Sequence, residues 1–104
     1  MLSLKTNCRI KDLSPQAMLG ITICSSVYAA HDYDCVVTSI NDSRHMTNSL
    51  HYRGYAFDLR IWMIPEEMRE SFAAELAAAL GPEFDVVLED DHIHVEADFQ
   101  GLAK

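Results

Sequence analysis

Two short stretches hold most of the chemically capable side chains of this chain. In "SLHYRGYAFD", residues 49–58, His51, Gly54 and Asp58 interrupt an otherwise apolar and aromatic run. In "EDDHIHVE", residues 89–96, His92 and His94 stand among acids. Imidazole nitrogen and carboxylate oxygen are common ligands of zinc, and a catalytic zinc takes three of them and keeps one position open. No H-x-x-x-H pair is present to put two ligands on one helical turn. His51 and Asp58 are instead seven residues apart, and on an unbroken strand an odd offset turns them to opposite faces. A turn near Gly54, where glycine accepts backbone angles that other residues resist, would return both to one side. His92 and His94 are two apart and share a face of any regular strand, which leaves Ile93 and Val95 for the core.

A hydrolytic metal site also needs a carboxylate near the ion, unbound to it, to take a proton from the attacking water. Asp91, three residues before His94, is the nearest candidate, and Asp90 and Glu89 compete with it on spacing alone. Any one of these residues taken singly reads as solvated surface charge. Two compact His/acid motifs with strand-like flanks are what raise a metal site above that reading, and composition and spacing carry the inference no further.

The elements that must position these residues are legible in outline. Ser14-Pro15 is a cap followed by a tolerated first-turn proline. Met18, Ile21, Cys24, Val27 and Tyr28 then recur at helical spacing, predicting a helix over 15–31. "CVVTSI", 35–40, is short and β-branched, a strand, and "NDSRHMTNS" has loop composition. "YAFDLRIWM", 55–63, alternates with Ala56, Asp58, Arg60 and Trp62 on one face and Tyr55, Phe57, Leu59 and Ile61 on the other. A second helix starts at Pro65, with Glu66 and Glu67 complementing its positive end. Met68, Phe72, Leu76 and Leu80 form its apolar stripe, and Gly81-Pro82 stops it. "FDVVLED" and "HIHVEA" read as two further short strands. The expected order is α, β, β, α, β, β, giving an α+β fold: a small antiparallel or mixed sheet with helices packed on it.

The bulk properties set limits on function. A chain of 104 residues is expected to be one domain, 1–104, with 49% apolar residues, a normal share for a folded core. Sixteen acids against eight Lys and Arg leave a formal charge of −8, which argues against nucleic acid and against adhesion to anionic surfaces. Some of that negative charge is available to hold a cation. No apolar run approaches the ~20 residues of a membrane span. The first residues lack the pattern of a secretory signal, so a cytoplasmic location is expected. Cys8, Cys24 and Cys35 form no C-x-x-C pair and read as small buried hydrophobes rather than a disulfide framework.

At the two motifs the chain resembles a known family. "SLHYRGYAFD" is similar to the S-x-H-x-x-G-x-A-x-D signature of the zinc D-Ala-D-Ala carboxypeptidases and L-alanyl-D-glutamate endopeptidases. That group includes the vancomycin-resistance D,D-dipeptidases and several phage endolysins. Ser49, His51, Gly54, Ala56 and Asp58 fill every fixed position, and "DDHIHVE" looks like the family's closing motif, with an acid three places before the last ligand histidine. The likeness spans about 38–96. It implies a hedgehog/DD-peptidase-like fold, with Zn2+ held by His51, Asp58 and His94. It also implies Asp91 as general base and His92 as a stabiliser of the transition state, with Ser49 supporting the loop. The implied substrate is the stem peptide of bacterial peptidoglycan, and the implied setting is a phage lysis enzyme released to the wall.

The chain departs from the pattern in one respect. Many relatives carry an arginine in a strand before the first motif, and "TSIND" has none. Arg44 or His45, in the expected loop, is then the candidate for binding the substrate carboxylate or polarising a carbonyl. Two other readings stay open: a non-catalytic zinc-stabilised binding or virion structural domain of the same fold, and a metal-free globular domain.

Overall fold

The computed structural model of the chain describes residues 2–5, 15–44 and 53–97. Its elements run β1 (Leu2–Leu4), α1 (Pro15–Ala30), β2 (Cys35–Arg44), β3 (Arg53–Arg60), a 3-10 turn (Glu66–Met68), α2 (Arg69–Leu80), β4 (Phe84–Leu88) and β5 (His92–Ala97). The five strands form one sheet in the order β1-β2-β3-β5-β4. β1 pairs parallel to β2, and β2–β3, β3–β5 and β4–β5 pair antiparallel. The sheet is therefore mixed and the class is α+β.

β1 was not expected. Three residues are too few for a period to be visible, and what makes them a strand is the unpaired edge of β2 that they satisfy. Leu2 pairs with Cys35 and Leu4 with Val37, and the Lys5 amide continues the pairing to the Val37 carbonyl at 2.9 Å. Two parallel strands require a crossover, and α1 provides it.

One face of the sheet carries the core. Val37, Phe57, Leu59, Ile93 and Val95 are each at most 1% exposed, and α1 and α2 pack against the sheet. α1 buries Ala17, Ile21, Cys24, Val27 and Tyr28, a stripe at helical spacing. Met18, expected on that stripe, is exposed, because the buried face is set one residue earlier, at Ala17. This small residue and Gly20 let the helix approach closely. A Cβ on Gly20 would lie 2.7 Å from Phe84 Cε2 and 3.3 Å from Phe57 Cε1.

α2 contributes Phe72, Leu76 and Leu80, each worth about 1.5–3 kcal/mol on full burial. Its expected first turn is a separate 3-10 turn, and Met68 is exposed instead of packing. Gly81 ends the helix as expected: at φ 89° it takes a conformation that glycine adopts freely, and its amide donates to Ala77 O at 3.1 Å. Tyr28 joins the layers, packing edge-on to Phe72 at 4.8 Å between ring centroids and donating its hydroxyl to the Arg60 carbonyl at 2.9 Å.

Cys24 and Cys35 are free and fully buried. Burial pushes both thiols up, Cys35 to about 12 and Cys24 further with help from the neighbouring Cys35, so neither forms a thiolate nucleophile near neutrality. Cys8 lies outside the described residues. Among the described residues no helix is long and apolar enough to cross a membrane.

Candidate functional site

The sheet face turned away from the core holds the candidate chemistry. β5 alternates as its sequence predicts: Ile93, Val95 and Ala97 are buried, and His92, His94 and Glu96 are half-buried on the other side. β3 alternates too, with Phe57 and Leu59 inward and Asp58 and Arg60 on the site face. The antiparallel register then sets Asp58 directly opposite His94, and Arg60 opposite His92. Residues 36 apart in sequence become cross-strand neighbours, close enough for their side chains to bond.

They do bond. His94 Nδ1 lies 2.8 Å from Asp58 Oδ1, and His94 Nε2 lies 3.3 Å from Glu96 Oε1. His92 Nδ1 lies 2.7 Å from Asp91 Oδ1, and its Nε2 is 3.7 Å from the same Asp58 oxygen. The result is a run of alternating acid and imidazole, Asp91–His92–Asp58–His94–Glu96. Burial alone pulls the His94 imidazole down, but the hydrogen bonds and charges of Asp58 and Glu96 outweigh it and hold the group above its ordinary value. The Asp91 carboxyl is held below the usual range, chiefly by its hydrogen bond with His92.

Asp58, Asp91 and His92 line an open cleft of about 200 Å³, shared with Lys5, Arg60 and Trp62. The Asp91 side chain is 84% exposed, so it exchanges protons with solvent freely. The Arg60 guanidinium lies over the Trp62 ring, with Cζ 4.0 Å from the centroid, and its Nε is buried without a hydrogen-bond partner. An unmet buried donor costs about 1–3 kcal/mol, which makes this group a notable feature of the cleft.

The residues expected from the sequence fall into three groups. Asp58, His94, His92 and Asp91 are brought together. His51 and His45, with Ser49, lie outside the described residues. Arg44 is not in a loop: β2 continues through "NDSR" to Arg44, which pairs with Arg53. Loop-like composition gave way there because β3 supplies backbone partners along the whole segment, and strand formation depends more on pairing than on intrinsic preference. For the same reason Gly54 makes no turn, since it sits inside the ladder opposite Ser43.

The sequence reading missed Glu96, Arg60 and Lys5. Period-two alternation on "HIHVE" and "DLR" already put Glu96 beside His94 and Arg60 beside Asp58, so that signal was present. Lys5 had none, because only the pairing of β1 carries it to the cleft.

Among the described residues no group of three or more His, Cys, Asp and Glu side chains is arranged to hold a metal ion. The donor chemistry at Asp58 nevertheless fits zinc. Ligand atoms ~2.1 Å from one tetrahedral ion lie about 3.4 Å apart. Of the ligands that the resemblance implies, Asp58 and His94 supply carboxylate and imidazole, and at 2.8 Å they hydrogen-bond directly, so an ion between them requires the pair to part by about 0.6 Å. Comparison of the chain with family models, with curated proteins and with solved structures finds no match.

Proposed function

We propose that the protein is a zinc-dependent peptidase that hydrolyses peptide bonds of bacterial peptidoglycan, with a hedgehog/DD-peptidase-like fold, and that it serves as a phage lysis enzyme. The observation that carries this reading is the cross-strand contact of His94 with Asp58 at 2.8 Å, in register with His92 and next to Asp91. Two of the three ligands implied by the motif resemblance are thus neighbours, and the implied base and transition-state stabiliser flank them. His51 is the proposed third ligand.

Zinc held by these residues would polarise a scissile carbonyl and lower the pKa of a bound water towards ~7. The chain's own groups do the rest. Asp91 Oδ1 takes a proton from the attacking water and returns it to the leaving amine. His92, braced at Nδ1 by Asp91, would turn its other ring edge to the oxyanion as charge develops, a contribution typically of about 3 kcal/mol.

The test is digestion of purified peptidoglycan with mass spectrometry of the released muropeptides, alongside elemental analysis of the protein. Wild type should carry zinc and release cut stem peptides. Asp91→Ala should retain zinc and lose cleavage, and full activity in that variant would sink the assignment. The rival reading is a non-catalytic zinc-stabilised domain of the same fold. That reading requires zinc to bind and raise stability with no cleavage by any variant.

A further inference from the structure

We propose that Glu96 is a positioning residue of the site: its carboxylate accepts the Nε2–H of His94 and so leaves Nδ1, with its lone pair, as the nitrogen that faces Asp58 and would hold an ion. The inference rests on the zinc-peptidase reading for what Nδ1 holds, and it concerns a residue to which the motif resemblance gives no role.

Three observations carry it. First, the His94 ring is held at both of its nitrogens. Nδ1 lies 2.8 Å from Asp58 Oδ1, across the β3–β5 pairing, and Nε2 lies 3.3 Å from Glu96 Oε1, two residues along β5 on the same face. An ionised carboxylate only accepts, so a neutral imidazole between two of them has one proton for two acceptors. In the metal-free protein the shorter Asp58 contact is the stronger. With the Asp58 side given over to an ion, Nδ1 carries no proton. The remaining one then stands on Nε2, and Glu96 is the acceptor already placed for it.

Second, the cross-strand neighbours leave that contact to Glu96. Val87 is the β4 neighbour of His94 and offers no polar atom, while Ala56, the β3 neighbour of Glu96, is only a methyl. The His94 and Glu96 side chains are both half-buried, which shelters a charge-assisted bond between them. Third, the position of Glu96 does not serve the sheet. Asp85 stands directly opposite it on β4, and like charges directly opposite each other destabilise a strand pair. The contact with His94 offsets that repulsion.

The experiment is zinc competition against a chromophoric chelator on the full chain, joined to proton–nitrogen correlation spectra of the labelled histidine rings in the zinc-loaded protein. Glu96→Ala should bind zinc about 10–100-fold more weakly than wild type. Glu96→Gln, whose amide oxygen still accepts from Nε2–H, should recover most of that affinity, and it keeps the test open if Glu96→Ala fails to fold. Asp85→Asn removes a charge from the same cross-strand row and should leave affinity close to wild type. Wild-type spectra should show His94 bound to the ion through Nδ1 and protonated at Nε2.

Unchanged affinity in Glu96→Ala, an equal loss in Asp85→Asn, or zinc bound through Nε2 overturns the proposal even where wild type cleaves peptidoglycan. Zinc binding that depends on Glu96, with no cleavage by wild type, supports the role of Glu96 and removes the peptidase reading instead. A wild type that takes up no zinc removes both.

Discussion

Asp58→Asn probes the pair on which the site is built. The replacement keeps the shape and removes the charge. In the metal-free protein Asp58 accepts a 2.8 Å bond from His94 and stands 3.7 Å from His92, with side chains 21%, 30% and 32% exposed. A charge-assisted bond contributes about 1.5–3 kcal/mol when sheltered, and at this exposure solvent screening brings the expected loss to about 1–2 kcal/mol. The loss should depend on pH with a definite sign. His94 has its proton affinity raised in the folded state, so its contribution is fully present below the unfolded value near 6.5 and disappears as pH rises through the higher folded value. Urea unfolding in the presence of a chelator should therefore separate the variant from wild type clearly at pH 5.5 and much less at pH 8.5. Zinc adds a second axis. At a hundred times its dissociation constant a ligand stabilises by about 2.7 kcal/mol, and Asp58→Asn should forfeit most of that gain at the same zinc concentration. An equal loss at both pH values would mean the substitution acts through packing and not through the His94 pair. A variant that melts like wild type under all four conditions would refute the reasoning outright.

Two further outcomes test the frame that holds the site. Gly20→Ala should gain ~1 kcal/mol of helix propensity but lose about 1–3 kcal/mol to the 2.7 Å approach of Phe84, a net destabilisation of about 1 kcal/mol by urea unfolding; a more stable variant would show that α1 is not seated on Phe84. In a Cys8→Ser background, Cys24 and Cys35 should resist an aromatic disulfide reagent at pH 8 until denaturant is added, since burial raises both thiols, and prompt labelling of either in the folded protein would contradict the core described here.

Much of the fold was legible because its periods are clean. "FDLRI" and "HIHVEA" alternate strictly, so the faces of Asp58, His92 and His94 followed from side-chain direction alone. α2 was readable from Phe72, Leu76, Leu80 and the Gly81 stop. Where the reading failed, the missing information was always a partner. "NDSR" looks like a loop until β3 lies beside it, Gly54 looks like a turn until Ser43 faces it, and Leu2–Leu4 is no pattern at all until β2 offers an open edge. Met18 fits its stripe by spacing, yet α1 buries Ala17 instead, and Met68 falls in the 3-10 turn ahead of α2.

The sequence by itself determined which side chains share a face, because strand and helix periods are local properties of the backbone. It determined the charge balance that disfavours nucleic acid, and the two motifs whose likeness suggested zinc. Only the tertiary structure decided register: that residue 58 meets residue 94 and residue 60 meets residue 92, and that Arg60 and Lys5 share a cleft with them. The physical reason is that cross-strand neighbours are chosen by hydrogen-bond pairing between distant segments, optimised together with burial of one whole face, and no local pattern encodes that sum.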